Sequence, residues 1–299
     1  MEKKVDVLII GGGPAAIVTA VTVRKYYPDK EIQVVKDIEK GVIPCGIPYM
    51  FASLKDPEEN ELGSAPFEKN NVDVAIAKAV KIDRDKKTVE MEDSGSYRYE
   101  KLVLAVGSTP VVPPIPGIDR RGVYHIYKDM EYLKKCVEEV KKLKNILIIG
   151  GGFIGVEFAD ELSKIDGLNV YLVEVLPRLL ANSFDPEFSG LVETKLRSKG
   201  VNVLTGTCVK EFTGGERVEK VILSDGGEID VDGVMLGIGA VPNIKLASDA
   251  SLDQGRGKGI WVDEYMRTSD PDIFAVGDCA GKRDFYTRKD AAVMLASTA

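Results

Sequence analysis

The sequence is poor in several residue types on which common functional classes depend. Its 299 residues include one histidine, one tryptophan and four cysteines, and acidic residues outnumber basic ones by 47 to 40. A single histidine, His125, disfavours histidine-dependent hydrolysis and histidine-rich metal sites. The net charge of -7 disfavours a nucleic-acid partner, because binding to phosphates along a nucleic acid needs a basic surface.

The four cysteines are too far apart to form a local pair. Cys45, Cys136, Cys208 and Cys279 contain no CxxC or CxxxxC spacing. This excludes a zinc knuckle or a local dithiol and fits a reducing cytoplasm, which is the expected location. A lone cysteine is usually a small buried hydrophobic residue. Cys45 stands apart because it lies between two prolines in the turn-rich stretch "VIPCGIPYMF".

One uncharged stretch, residues 7–23, resembles a signal peptide or a membrane span. Its three consecutive glycines and Pro14 would interrupt a membrane helix, whereas they suit a tight turn between a buried strand and a helix. We therefore predict that this stretch makes no contact with a membrane. At about 150 residues per domain, the length predicts two domains.

The same stretch carries a dinucleotide-binding fingerprint. "VDVLIIGGGPAAIV" predicts a strand, a turn with G-x-G-x-x-A spacing and a helix. The first glycine allows the tight turn, the second lets a pyrophosphate approach the backbone, and the third small residue lets the helix pack on the strand. The predicted cofactor contacts are Gly11, Gly13, Pro14, Ala15 and Ala16.

A second copy of this motif begins at residue 145, in "NILIIGGGFIGVEFADELSK", and its first glycine is 139 positions after that of the first copy. Because chance matches rarely come in pairs, the repeat predicts two nucleotide-binding units. The predicted contacts of the second copy are Gly150, Gly152, Phe153, Ile154 and Gly155.

The strand that follows each copy ends in a different residue. In the second copy it ends at Glu174, which can accept both ribose hydroxyls of NAD and would repel a 2′-phosphate, so we predict a preference for NADH over NADPH. In the first copy the strand ends at Lys36, which cannot accept a hydrogen bond, and Asp37 follows. Either Asp37 takes the acidic role or the adenosine end is held differently.

Three further motifs extend the nucleotide-binding pattern. "TSDPDIFAVGDCAG" (268–281) resembles the second FAD motif of flavoprotein disulfide reductases, in which the aspartate, here Asp278 after Gly277, bonds a ribityl hydroxyl. "LVLAVGSTP" and "VDGVMLGIGAVPN" resemble the strands that close the FAD and NAD domains, although Val106 replaces the usual threonine. The contacts that these resemblances imply are Ala105, Gly107 and Gly239. Val80 is a further expected contact, through its backbone, to the adenine.

Together these motifs resemble the pyridine nucleotide-disulfide oxidoreductases along nearly the whole chain. "PCGIPY" resembles their single-cysteine branch of coenzyme A disulfide reductases, NADH oxidases and persulfide or polysulfide reductases. The resemblance implies FAD and NADH as cofactors, with Cys45 beside the flavin and cycling through a mixed disulfide, persulfide or sulfenic acid. It also implies that Glu157 lies near the nicotinamide. Pro14 stands where peroxidase relatives carry a histidine, which disfavours NADH peroxidase activity.

The expected fold is α/β, with two Rossmann-like doubly wound parallel-sheet domains and small antiparallel meanders, one of them over residues 78–105. Residues 1–113 and 240–299 are expected to form an FAD domain, with an NAD domain (114–239) inserted between them. Family members continue into an interface domain that forms a homodimer, whereas this chain ends at residue 299 inside an expected helix over 288–299. We therefore expect a truncated form. The alternative, a two-domain thioredoxin reductase type, would carry a CxxC motif that this sequence lacks.

Three functions stay open at this point. The first is an NADH-dependent flavoprotein that reduces a small disulfide, a persulfide or polysulfide, or oxygen through Cys45, with coenzyme A as a further partner that the resemblance implies. The second is an electron-transfer reductase for a small iron protein of the rubredoxin or ferredoxin type, in which Cys45 is incidental. The third is a redox-sensing flavoprotein without turnover.

Overall fold

The computed structural model describes residues 2–255, 257–284, 286–287 and 289–291. Asp290 and Ala291 are described by their backbone alone. The chain divides into two compact units. Unit 1 comprises residues 1–43, 62–109 and 240–299, and unit 2 comprises residues 44–61 and 110–239. Residues 44–61 are expected in the FAD domain from the sequence, whereas in the structure they pack within unit 2. The assignment of one nucleotide to each unit stays a prediction.

Unit 1 is built on a seven-stranded mixed sheet. Its strands lie in the order Asp73–Ile76, Ile32–Lys36, Glu2–Ile10, Ser96–Leu104, Thr88–Met91 and Ala79–Asp83, and Ile273–Ala275 pairs with Ser96–Leu104 outside this order. The strands around Glu2–Ile10 run parallel, because helices and long connections join them. The last three strands of the order are antiparallel, which confirms the predicted meander.

Two layers cover the unit 1 sheet. The helix Pro14–Tyr26 packs on one face through Ala16 and Ala20, which are fully buried and small enough to bring the helix close to the sheet. The other face is covered by residues near 244–262. The remaining elements of unit 1 are the helices Ala65–Lys69 and Lys245–Asp249, the 3₁₀ turn Gly277–Cys279, and the paired short strands Gly41–Val42 with Glu61–Leu62, Ser108–Pro110 with Ala240–Pro242, Gln254–Gly255 with Gly259–Ile260, and Lys282–Arg283 with Asp290–Ala291.

Unit 2 is built on a five-stranded, fully parallel sheet. Its strands lie in the order Val123–Tyr124, Gly233–Leu236, Asn145–Ile149, Asn169–Glu174 and Asn202–Thr205. The strand order reverses at Asn145–Ile149, and in such sheets ligands bind beyond the carboxyl end of the strand at this switch point. The helices of the unit are Met130–Val140, Phe153–Leu162 and Pro186–Ser198, and residues 44–61 add the 3₁₀ turns Pro44–Gly46, Pro48–Phe51 and Pro57–Asn60.

A second sheet covers one face of the unit 2 parallel sheet. It consists of the antiparallel strands Val209–Thr213, Lys220–Leu223 and Glu228–Asp230. Phe212 and Val221 are completely buried between the two sheets, against Leu147 and Val234 of the parallel strands. The parallel strands at the centre of the two Rossmann-like sheets and the two meanders confirm the predicted α/β fold class.

Two predictions from the sequence concern a membrane-spanning helix and a helix at the end of the chain. Within the described ranges, no helix combines the length and the apolar composition that a membrane crossing requires. The helix expected over residues 288–299 falls mostly outside the described residues. It is wrong for Asp290–Ala291, which form a strand against Lys282–Arg283 instead.

Candidate functional site

The first nucleotide turn, defined as residues 11–16, follows the central strand of unit 1. Gly11 has a φ of +122°, and a β-carbon there would come 2.2 Å from the Ala105 carbonyl oxygen, so only glycine fits. The Gly11 N–H donates to the Val35 carbonyl at 2.8 Å, which fixes the turn on the sheet. Gly13 is the N-cap of the following helix, its cap carries no side-chain hydrogen bond, and no described atom lies within 4 Å of its missing β-carbon.

Residues from distant parts of unit 1 surround the first nucleotide turn. The Ala105 N–H donates to the Ile10 carbonyl at 2.8 Å. Gly277 has a φ of +73°, and a β-carbon there would lie 2.8 Å from the Ala15 side chain. The structure therefore brings together predicted residues from three separate motifs. Ser108, which the sequence analysis missed, donates from its hydroxyl to Asp278 Oδ2 at 2.8 Å and orients the carboxylate.

Two further features lie near the predicted aspartate. Lys282 donates from Nζ to the Gly277 carbonyl at 2.9 Å, and burial lowers the pKa of its ammonium group, an effect that the nearby Asp278 opposes. Cys279 is fully buried, its Sγ lies 3.3 Å from the Leu104 carbonyl, and burial raises the pKa of its thiol. Gly107 has a φ of +66°, and its carbonyl accepts from the Asn243 N–H at 2.9 Å.

Lys36 occupies the strand end at which an acid was expected. Its side chain is only 7% exposed, and its aliphatic stem lies against Gly12, where a β-carbon would meet Lys36 Cδ at 2.6 Å. Lys36 Nζ donates to the Glu39 carbonyl at 2.8 Å, and Asp37 is exposed. Val80 lies at an irregularity in the pairing of Ala79–Asp83 with its neighbouring strand, which leaves its backbone outside the regular ladder. The roles of these residues toward a cofactor stay predictions.

The second nucleotide turn, defined as residues 150–155, repeats this geometry in unit 2. The Gly150 N–H donates to the Val173 carbonyl at 2.8 Å, as Gly11 does in the first copy. A β-carbon at Gly155 would lie 1.7 Å from the Gly150 carbonyl oxygen, so the helix rests directly on the turn. Gly237, missed from sequence, packs against the turn from the neighbouring strand. A β-carbon at Gly150 would lie 2.7 Å from the Gly237 carbonyl oxygen.

Glu174 holds the second nucleotide turn by hydrogen bonds to the backbone. Its side chain is 8% exposed, and its two carboxylate oxygens accept from the Gly151 N–H at 2.5 Å and the Leu176 N–H at 2.7 Å. The Leu180 N–H donates to the Gly151 carbonyl at 2.8 Å. The backbone of Gly151 is thus held through both its N–H and its carbonyl group. Each oxygen of Glu174 keeps a further lone pair for a ribose hydroxyl, and the preference for NADH over NADPH stays a prediction.

An exposed aromatic cluster, which the sequence analysis did not predict, adjoins the second nucleotide turn. Phe153, the first residue of the helix, makes an edge-to-face contact with Phe184 at 5.9 Å between ring centroids, and Phe188 lies 6.3 Å beyond. All three rings are at least 44% exposed.

Glu157 lies one helical turn after Phe153 at the helix surface, where neighbouring atoms partly desolvate its carboxyl group and raise its pKa. Gly239 has a φ of +93° and accepts from the Val111 N–H at 3.0 Å.

Cys45 lies in residues 44–61, which we call the cysteine segment. The thiol is free and exposed, in the first of three short 3₁₀ turns. Gly46 has no room for a side chain, because its β-carbon would lie 1.8 Å from Asn60 Oδ1 at the far end of the segment. Phe51 is buried against Phe158 of the helix that follows the second nucleotide turn, with the ring centroids 5.3 Å apart. The cysteine segment is therefore folded on itself and fixed to that helix.

The four thiols differ enough in environment for selective labelling. We expect iodoacetamide at about pH 8 to alkylate Cys45 and Cys208, which are exposed, and to spare Cys136 and Cys279, which are buried. Burial raises the pKa of Cys136 to about 11, so roughly 0.1% of it is thiolate at that pH. Peptide mass mapping after a short exposure measures the four yields. Equal labelling of all four thiols in the folded protein would contradict this assignment.

Both turns meet the steric requirements of a dinucleotide. At Gly13 and Gly152 a helix begins with no capping side chain, and within the described residues no atom lies within 4 Å of either missing β-carbon. A pyrophosphate can therefore approach the backbone N–H groups directly and gain from the helix dipole. Two such turns, each after a central parallel strand, define a class of protein that holds two nucleotides at once.

Comparison with known proteins places the chain within this class. Residues 5–299 match the family described as "Pyridine nucleotide-disulphide oxidoreductase", and the chain belongs to that family. It is 36% identical to an NADH oxidase of Methanocaldococcus jannaschii over 292 residues, covering 94% of this chain and 64% of that protein. It is 35% identical to an NAD(P)H coenzyme A polysulfide/persulfide reductase of Pyrococcus horikoshii, covering 99% of this chain and 67% of the relative.

Solved structures agree. A NAD-dependent persulfide reductase from A. fulgidus superposes with a TM-score of 0.91 at 33% identity, covering all of this chain and 57% of that one. A water-forming NADH oxidase from Lactobacillus brevis, bound to NADH, gives a TM-score of 0.88 at 30% identity, covering 98% of this chain and 66% of that one. The predicted family and its cofactor pair, FAD and NADH, are confirmed. The chain spans about three-fifths to two-thirds of the length of these relatives.

Proposed function

We propose that this protein is an NADH-dependent FAD flavoprotein that reduces the S–S bond of a small disulfide, persulfide or polysulfide through Cys45. The observation that carries the proposal is the placement of an exposed thiol on a segment fixed to the helix that starts at the second nucleotide turn. The similarity to persulfide and polysulfide reductases supports the same substrate class. Oxygen is the second candidate acceptor, because two of the similar proteins are NADH oxidases.

We assign FAD to unit 1 and NADH to unit 2. The first nucleotide turn, Asp278 and the backbone near Ala105 would hold FAD, and the second nucleotide turn with Glu174 would hold NADH. When bound, the cofactors supply a pair of electrons, taken from NADH as a hydride, for the reduction of sulfur. The chain itself binds the two nucleotides, orients them and provides the thiol.

The sulfur chemistry proceeds by thiol–disulfide exchange at Cys45. The Cys45 thiolate attacks one sulfur of the substrate, which forms a new S–S bond to Cys45, breaks the substrate S–S bond and releases one half of the substrate as a thiolate. Two electrons and one proton then cleave the mixed disulfide, release the second half as a thiol and return Cys45 to the thiolate. Each cycle therefore consumes one NADH and one S–S bond.

Rapid mixing of the FAD-loaded protein with NADH tests this function. We expect the flavin absorbance to bleach within one turnover and to recover when a disulfide or polysulfide is added, with oxygen tested in a separate aerobic experiment. Protein that is colourless and cannot be reconstituted with FAD, or flavin that NADH does not bleach, would reject the proposal. Bleaching with recovery only upon addition of a small iron protein would favour the electron-transfer alternative instead.

A further inference from the structure

A buried carboxylate ties the cysteine segment to the helix Phe153–Leu162. Glu161 is 2% exposed, although it lies in the last turn of that helix. Its Oε2 accepts a hydrogen bond from the Ser53 backbone N–H at 3.0 Å. Buried carboxylates are rare unless they are paired and hydrogen-bonded, so this arrangement requires an explanation.

The second oxygen of Glu161 and the Ser53 side chain share one cation. Lys164 donates from Nζ to Glu161 Oε1 at 2.5 Å and to the Ser53 hydroxyl at 2.9 Å. Each carboxylate oxygen therefore has a donor, one of them charged. Ser53, Glu161 and Lys164, which we call the clamp, join two parts of unit 2 that are 108 positions apart along the chain.

The clamp acts on the part of the segment that carries the thiol. Pro48, Met50 and Phe51 are buried between Cys45 and Ser53, so this stretch has little freedom to move alone. The close approach of Gly46 to Asn60 joins the two ends of the segment, and an ion pair of Glu58 with Lys134 at 2.7 Å holds the end that follows Ser53. The clamp bonds the segment to the helix Phe153–Leu162 through the backbone N–H of Ser53.

We infer that Glu161 is a positioning residue for Cys45. The helix that begins at the second nucleotide turn carries Glu157 on its surface and Glu161 one turn later, and Glu161 fixes the distance between that turn and the thiol. The inference deepens the proposed function and rests on it, because the position of Cys45 affects turnover only if Cys45 reacts. Loss of the carboxylate leaves the Ser53 N–H without this acceptor and weakens the attachment of the segment to the helix, which then depends on the Phe51–Phe158 contact.

The test compares Glu161→Ala and Glu161→Gln with Asp160→Ala as the matched control. Asp160 is the neighbouring carboxylate on the same helix. It pairs with Lys199 and, at 3.7 Å, with Lys164, but it makes no contact with Ser53, so its loss leaves both bonds to Ser53 in place. For Glu161→Ala we expect turnover with a polysulfide or disulfide to fall about tenfold, because a small displacement of a reacting group is costly. Bleaching of the flavin by NADH should stay within about twofold. Glu161→Gln should restore most of the turnover, because its amide oxygen still accepts from Ser53, and Asp160→Ala should match the unaltered protein.

Alkylation provides a readout that does not depend on turnover. We expect the ratio of Cys45 to Cys208 labelling by iodoacetamide to change at least about threefold in Glu161→Ala, since the segment loses its hydrogen bond to the helix. Cys208 is an internal reference because it is exposed in the same unit. An unchanged ratio, or NADH bleaching that slows as much as turnover does, would overturn the positioning role. The two claims can also fail separately. If the labelling ratio shifts in Glu161→Ala but Cys45→Ser keeps full turnover, the proposed function is rejected and the positioning of Cys45 by Glu161 is retained.

If Glu161→Ala fails to fold, Lys164→Met decides the question. Lys164 is 41% exposed, so its replacement opens no cavity in the core, and it removes the cation that bridges Glu161 and Ser53. We expect the alkylation ratio to shift at least about twofold in this variant, because one of the two bonds of the clamp to Ser53 is lost. A ratio that stays at its original value would overturn the inference.

Discussion

Replacement of Cys45 with serine is expected to reduce turnover with disulfide and polysulfide acceptors by at least about a hundredfold, while NADH still bleaches the flavin. A hydroxyl ionises far less readily than a thiol and cannot form the mixed disulfide through which the substrate is reduced. The first half of the reaction should persist, because the substituted residue belongs to neither nucleotide turn. Rapid-mixing and steady-state rates on the same preparation measure the two halves.

Cys208→Ser is the matched control for this prediction. Cys208 is the other exposed thiol and lies in the same unit, so the two variants remove the same atom at two exposed positions of unit 2. We expect Cys208→Ser to leave both half-reactions unchanged. Full turnover of Cys45→Ser with every sulfur acceptor would eliminate sulfur chemistry at Cys45. Unchanged electron transfer to a small iron protein in the same variant would instead support the reductase alternative.

The two turns could be predicted because their chemistry is local in sequence. Gly11 and Gly150 need positive φ values, and Gly155 needs contact with the preceding strand, so the sequence pattern and the backbone geometry are nearly the same information. The parallel sheets follow equally well, because apolar strands that alternate with helices bury both faces of a sheet. The predicted meander also depends on short-range turns and alternation.

The surroundings of Cys45 could not be predicted in this way. The cysteine segment lies in unit 2 through contacts with Glu161 and Phe158, more than a hundred positions away, and no local pattern marks such pairs. Glu161 looks in sequence like an ordinary charged residue at a helix end, whereas the structure buries it. Likewise, the aliphatic stem of Lys36 lies along Gly12, as the stem of Glu174 lies along Gly151 in the second copy. Glu174 accepts a hydrogen bond from the turn, whereas the Lys36 ammonium group donates to the Glu39 carbonyl. Such differences depend on tertiary contacts rather than on residue type.

Gly155→Ala is expected to abolish reduction of the flavin by NADH, with a loss of at least about a hundredfold in kcat/KM. A β-carbon at this position would lie 1.7 Å from the Gly150 carbonyl oxygen, roughly half of an ordinary contact distance. The helix must therefore move away from the turn by more than about 1 Å, which removes its N-terminal N–H groups from the pyrophosphate. FAD content should remain near that of the original protein, because the first nucleotide turn lies in the other unit.

Two other glycines of unit 2 distinguish displacement of the helix from loss of the space for the pyrophosphate. Gly190 lies exposed in the helix Pro186–Ser198, where a β-carbon meets no described atom within 4 Å, so Gly190→Ala should leave NADH reduction unchanged and slightly favour the helix. Gly152 likewise has open space, but this is the space that the pyrophosphate would enter. Gly152→Ala should therefore raise the KM for NADH without lowering the thermal stability. Gly155→Ala should raise the KM and also lower the thermal stability. Normal bleaching in Gly155→Ala would show that NADH does not bind at the second nucleotide turn.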